Sequence, residues 1–244
     1  MTERAAHPSA ELAEQRESRS AQYATERLRG SVWEHVPLAL SAYRGTLLVG
    51  GTLGRTGISA NALTYLSLAV AALAGLAAAS GSLVTAALLV VASGALDLFD
   101  GVVARATGTT SRWGALLDST VDRLSDGLPL LGLVVFYADD GWLVTVPGLA
   151  ILGAFTVSYV RARAEALGAV LPPLFMRRAE RVVLLTVSLF AGVVPCEEGR
   201  LQGPLTLLGV AVLAASSFIG VISALRSARH ALGAPAPQSR AHSD

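Results

Sequence analysis

Four aspartates, Asp97, Asp100, Asp118 and Asp122, stand in a stretch whose flanks are as apolar as lipid-facing helices, with Arg105 and Arg112 between them. The first pair is three residues apart and the second four, spacings that put both side chains of a pair on one helical face. Two antiparallel helices joined by a short loop can aim those faces at one point. Four uncompensated carboxylates there would repel one another at a heavy cost in low dielectric, so a cation must compensate them. Oxygen ligands with no His or Cys cluster nearby favour hard divalent ions, Mg²⁺ or Mn²⁺. Gly101 and Gly114 flank the acids and remove side chains where a ligand needs close backbone approach. Carboxylate-bound metal, small residues and arginines suit a diphosphate. Two ions can hold both phosphates and neutralise a leaving group, while a spare carboxylate deprotonates an attacking hydroxyl. Simple salt bridges to Arg105, Arg112 and Arg123 are the plainer reading. Four ionisable groups at the edge of apolar spans favour function over it.

The elements that must carry these residues are membrane helices. Hydrophobic residues make up 52% of the 244 and charged ones 15%, a balance that points to a membrane protein. Apolar runs near 60–79, 82–104, 114–137, 141–162, 181–196 and 203–225 predict six spans in an all-α fold, with short loops making neighbours antiparallel. All nineteen basic residues are arginine, and every one but Arg200 falls on a single side of this arrangement. By the positive-inside rule that side is cytoplasmic, so both termini and the aspartates face the cytoplasm of a multi-pass plasma-membrane protein. Residues 1–30 and 232–244 read as mobile tails. Residues 31–54 read as an amphipathic helix lying on the cytoplasmic surface, which makes 31–231 the membrane domain. The first thirty residues lack an apolar h-region, which excludes a cleaved signal there. One cysteine, Cys196, excludes an intramolecular disulfide and a CxxC metal site, and a net charge of +1 gives no sign of a nucleic-acid partner. Small residues in spans one and six, among them Ala71, Gly75 and Ala214, allow close packing within a subunit or across a dimer.

The residues spell D-x-x-D-G-x-x-A-R, then, after a short gap, G-x-x-x-D-x-x-x-D: Asp97, Asp100, Gly101, Ala104, Arg105, Gly114, Asp118 and Asp122. This resembles the CDP-alcohol phosphotransferase signature at every fixed position, and the six spans agree with that family's fold. The resemblance covers about residues 31–230. It implies that the four aspartates bind a pair of Mg²⁺ or Mn²⁺ ions, with Asp122 also the general base. It implies that Gly101, Ala104, Arg105 and Ser111 contact the CDP moiety beside Gly114. Upstream, GISANALTYLS resembles the family's entry to the first span, with Ala60 where proline is usual, and places Asn61 and Thr64 at the ribose and cytosine. A helix cap and a polar first turn are compatible roles for the same residues. The resemblance also implies a homodimer.

The acceptor is read from a second cluster. Arg161 and Arg163 end span four, and Arg177, Arg178 and Arg181 open span five. They suit an acceptor carrying its own phosphate, because guanidinium forks hold phosphate oxygens bidentately; as plain cytoplasmic anchors they satisfy the charge rule equally. On a helix Arg161 and Arg163 diverge, leaving one of them to Glu165 or headgroups. SYVRARAE followed by RRAER is similar to the actinobacterial phosphatidylinositol-phosphate synthases and their archaeal relatives, although Arg177 stands where an acidic or small residue is expected. That similarity implies an inositol-phosphate pocket of Ser158, Arg161, Arg163 and Arg181, joined by Arg226 or Arg229. The reading is transfer of a phosphatidyl group from CDP-diacylglycerol to 1L-myo-inositol 1-phosphate. Glycerol 3-phosphate is the alternative acceptor. A cation transporter or channel is the alternative of another class, disfavoured because the acids gather at one end.

Overall fold

The computed structural model describes residues 57–139, 141–172, 175–192 and 203–233. The tail at 1–30, the surface helix expected at 31–54, Cys196, Arg200 and residues 234–244 lie outside them. Among the described residues the chain is all-helical. α1 is Ala60–Ala79, α2 Leu83–Ala106 and α3 Arg112–Phe136; a 3₁₀ turn at Gly141–Val144 leads into α4, Thr145–Ala166; α5 is Arg178–Ala191 and α6 Pro204–Gly233.

Local chemistry sets the helix ends that bear on the site. Ser59 caps α1 by accepting from the Ala62 N–H at 3.2 Å, and Ser111 caps α3 by accepting from the Gly114 N–H at 2.9 Å. α3 therefore starts at Arg112, two residues before its apolar run. α5 begins at Arg178, three residues earlier than hydropathy marks, because the Glu180 carboxylate accepts from the Arg177 N–H at 2.9 Å. α6 continues to Gly233, past the apolar run that ends near 225: arginine ends apolar character but is a good helix former.

Four segments, Ala60–Ala79, Leu83–Ala106, Gly141–Ala166 and Pro204–Gly233, are long and apolar enough to cross a bilayer. Outside that set lie α3, which carries Asp118, Asp122, Arg123 and Asp126 within its first 15 residues (112–126), and α5, which has 14 residues. Leu66, Leu76, Leu88, Val135, Leu208 and Ile219 are among many large apolar side chains on the outer surface. Such a surface on hydrogen-bonded helices is that of an integral membrane protein.

α1 packs along both α2 and α3, α4 packs along α6, and α5 sits between α2 and α6. The core they share is built largely of small residues, with Ala74, Ala78, Ala86, Ala87, Ala150 and Ala214 between Leu130, Leu133, Leu189 and Leu213. One close approach, backbone to backbone, is at α1 and α3. A Cβ on Gly75 would come within 2.6 Å of the Leu128 carbonyl oxygen, and one on Gly132 would collide with the Gly75 carbonyl. Only glycine lets these two backbones meet. A polar seam continues toward the site: Ser93 donates to the Ser67 carbonyl at 2.9 Å, and Ser67 to the Thr64 carbonyl at 2.7 Å. At the opposite end, the buried Tyr137 hydroxyl donates to the Gly203 carbonyl at 2.8 Å and fastens α3 to the start of α6.

Candidate active site

The last three turns of α2 and the first half of α3 bring their acids together, as antiparallel helices joined by a short loop with acids at i, i+3 and i, i+4 should. Asp97, Asp100 and Asp118 each present a carboxylate oxygen within 4.8 Å of the others. Asp100 is 4% exposed and receives a 2.6 Å hydrogen bond on Oδ2 from the Thr64 hydroxyl. Asp97 Oδ2 is bonded to Arg178 Nη1, while its Oδ1 is buried with no hydrogen-bond partner among the described residues.

Asp122 stands apart from that triplet. Its Oδ1 lies 2.8 Å from the same Arg178 Nη1, an ion pair without the alignment of a hydrogen bond. Arg178 Nε donates to Asp126 Oδ1 at 3.3 Å. Asp126 Oδ2 in turn accepts from Arg181 Nη2 at 2.7 Å and Nε at 3.2 Å, and Arg181 Nη1 donates to the Met176 carbonyl at 2.9 Å. Met176 has φ +59, a left-handed conformation at a residue with a side chain, and the Arg181 bond holds this turn at the entrance to α5. A chain of ion pairs thus ties the first turn of α5 to α2 and α3.

Asp126 escaped the sequence reading, although it continues the i, i+4 register of Asp118 and Asp122. Two arginines three apart on α5, able to face one direction, were the matching signal. Arg178 was read as part of the arginine cluster but without a place in the site, and it makes more contacts with the aspartates than any other arginine among the described residues.

The remaining expected residues are distributed as follows. The Asn61 amide oxygen and the Ser111 hydroxyl lie 3.7 and 3.2 Å from where a Cβ on Gly114 would stand, so these three meet at the start of α3. The exposed Arg105 guanidinium folds back over Gly101, with Nη1 3.2 Å from the corresponding position there. Ala104 is half-buried on α2. Ser158 spends its hydroxyl on the Ala154 carbonyl at 3.0 Å, and its own carbonyl accepts from Arg123 Nη2 at 3.5 Å. Arg161 pairs with Glu165 at 3.0 Å on an exposed face, and Arg163, Arg226 and Arg229 are exposed. Arg181, by contrast, is 7% exposed and committed to Asp126 and Met176.

Residues 58–222 match the model of the CDP-alcohol phosphatidyltransferase family. The chain belongs to that family. It is 40% identical over 139 residues to the archaetidylinositol phosphate synthase of Methanothermobacter thermautotrophicus, covering 57% of this chain and 69% of that one. It is 37% identical over 141 residues to the phosphatidylinositol phosphate synthase of Streptomyces avermitilis, covering 54% and 56%. The fold matches the crystal structure of Mycobacterium tuberculosis phosphatidylinositol phosphate synthase with CDP-DAG bound, with TM-score 0.69, 29% identity, and 78% and 96% of the two chains covered. The same enzyme in complex with manganese and citrate matches with TM-score 0.67 and 29% identity over 75% and 88%. As a CDP-alcohol phosphatidyltransferase the protein is an enzyme, which removes the transporter alternative.

A divalent ion fits the site on its own geometry. Three carboxylates converge, one of them keeps a buried oxygen with no partner, and the donors are all the hard oxygens that Mg²⁺ and Mn²⁺ prefer.

Proposed function

We propose that this membrane enzyme transfers the phosphatidyl group of CDP-diacylglycerol to the hydroxyl of 1L-myo-inositol 1-phosphate, leaving phosphatidylinositol phosphate in the bilayer and releasing CMP. The observation that carries it is the convergence of Asp97, Asp100 and Asp118, with Asp122 one turn further along α3. Asp97, Asp100 and Asp118 would hold one divalent ion, and Asp97 with Asp122 a second. Bound ions polarise the phosphoryl oxygens and neutralise the charge that gathers on departing CMP.

The chain's own residues do the rest. Asp122 takes the proton of the acceptor hydroxyl as its oxygen bonds to the lipid-side phosphorus and the bond from that phosphorus to the CMP oxygen breaks. Asn61, Thr64, Ala104, Arg105 and Ser111 bind the CDP moiety, and Gly101 and Gly114 leave room for it. At Gly101 a Cβ would touch only the flexible end of Arg105, so the protein's own packing does not demand glycine there. Ligand approach does. Ser158, Arg161, Arg163 and Arg181 take the acceptor and its phosphate; for Arg181 this requires exchanging Asp126 for a phosphate oxygen.

The same reading places α3 and α5 in the bilayer as the third and fifth of six spans within a 31–231 membrane domain. The arginine-bearing ends and both termini face the cytoplasm, and two chains form a homodimer. Acids at one end of α2 and the beginning of α3 suit a depth where a soluble acceptor and a lipid donor can meet. The test is CMP release by purified protein in detergent with CDP-diacylglycerol and Mg²⁺, offering inositol 1-phosphate, glycerol 3-phosphate and free inositol separately. Release with inositol 1-phosphate alone is expected. Release with glycerol 3-phosphate instead would keep the family and overturn the acceptor.

A further inference from the structure

We infer that Arg178 competes with a divalent cation for the Asp97 and Asp122 carboxylates, so that the second of two ions binds only as this guanidinium withdraws. The inference rests on the metal reading above and extends it to a residue outside the aspartate motif. One nitrogen, Nη1, serves both carboxylates: it is bonded to Asp97 Oδ2 and lies 2.8 Å from Asp122 Oδ1. A cation taking those same two oxygens would have to stand close to this nitrogen, and like charges at contact distance repel, so guanidinium and cation displace each other there.

The first ion faces no such conflict. Asp97 divides its oxygens, Oδ2 to Arg178 and a buried Oδ1 without a hydrogen-bond partner among the described residues. A ligand set using that free oxygen with Asp100 and Asp118 forms while Arg178 stays in place. The two ions therefore differ in affinity for a reason internal to the chain. Repulsion from the first ion alone also makes the second weaker, so inequality of the sites decides nothing; the response to removing Arg178 does.

The contacts also fix what withdrawal involves. The Arg178–Asp122 pair lacks hydrogen-bond alignment and Asp122 is the most exposed of the three partners, at 30% against 12% for Asp97 and 9% for Asp126. It is the one attachment of the three held by charge without a hydrogen bond. Asp126 holds the other edge of the guanidinium through Nε. Arg178 can thus pivot on Asp126 while giving up Asp97 and Asp122. Released from them, it has a free charge-bearing edge beside the site, available to an anion. By linkage, an anion taken by this edge and the second cation each favour binding of the other.

The experiment is Mn²⁺ titration followed by electron paramagnetic resonance, on wild-type protein and Arg178→Gln in detergent. Both proteins are expected to show a first class of sites of similar affinity, and Arg178→Gln a second class tightened by about tenfold, as loss of a competing charge pair implies. Inorganic phosphate should tighten the second class in wild type and do nothing to it in Arg178→Gln. A second class unchanged or weakened by the substitution overturns the inference alone, as does a single class in both proteins. No saturable binding in wild type overturns the metal reading and the inference together. Should Arg178→Gln not remain monodisperse, Arg178→Lys carries the same test. Lysine has one nitrogen and cannot hold Asp126 while sitting between Asp97 and Asp122, so it competes less firmly; tightening in the same direction is expected, and none would reject the competition.

Discussion

Thr64 on α1 donates a 2.6 Å hydrogen bond to Asp100 on α2, joining residues 36 apart in the chain at a buried position. A carboxylate oxygen that has accepted from a hydroxyl is turned in a defined direction, and its other oxygen is thereby aimed. Thr64→Val should lower the affinity for Mn²⁺ by about tenfold, within the range known for lost outer-shell partners of metal ligands. Thr64→Ser, which keeps the hydroxyl, should stay close to wild type. Equal affinities in the valine and threonine proteins would remove Thr64 from the metal site.

Asp122 offers a sharper test of the chemistry. Asp122→Asn keeps the size of the side chain but cannot accept a proton, so kcat for CMP release should fall by about 10² to 10⁴, the usual contribution of a general base. CDP-diacylglycerol should still bind. Turnover at the wild-type rate would sink the assignment of Asp122 as base.

The metal requirement is expected to be absolute. Chelation with EDTA should abolish CMP release, and added Mg²⁺ or Mn²⁺ should restore it. Asp118→Asn should raise the metal concentration needed for half-maximal rate, because it removes one of three converging ligands. Full activity in EDTA would contradict the metal-held diphosphate.

Gly132 tests the scaffold without touching the site. A methyl group there meets the Gly75 backbone, and neither helix can yield without disturbing the alanine-rich core. Gly132→Ala should destabilise the protein by about 1–3 kcal/mol, the range for overpacking, and lower its melting temperature in detergent. An unchanged melting curve would mean that α1 and α3 do not approach as described.

Much of this site was legible in the chain because its motif is local. Asp97 with Asp100, and Asp118 with Asp122, need only the helical period to be placed on shared faces, and the match of residues 58–222 to the family agrees with that reading. Arg178 and Asp97, by contrast, are 81 residues apart, and no periodicity reports a contact of that separation. Asp126 was overlooked for a different reason: it continues the i, i+4 register of Asp118 and Asp122 but lies outside the motif, and its role shows only when Arg178 and Arg181 are seen opposite it. Hydropathy located the helices but misjudged their ends, since it marks where apolar character stops, whereas Ser111, Glu180 and the helix-forming arginines of α6 decide where hydrogen bonding starts and stops. Gly75 was readable as a small residue of span one, whereas Gly132 in span three was not singled out. That their backbones touch each other was not readable.

α5 has 14 residues, about 21 Å of helix at the usual rise, and α6 has 30, about 45 Å. A hydrocarbon layer is about 30 Å thick. In the six-span arrangement α5, over its described residues, falls short of that layer and α6 exceeds it, and thinning of the leaflets beside α5 is one way to accommodate the difference. Membranes made of long, saturated acyl chains resist that dimple, and those of short chains accept it. The rate of lipid synthesis would then follow the thickness of the membrane being built, because the helix that carries Arg178 is also the one most sensitive to it.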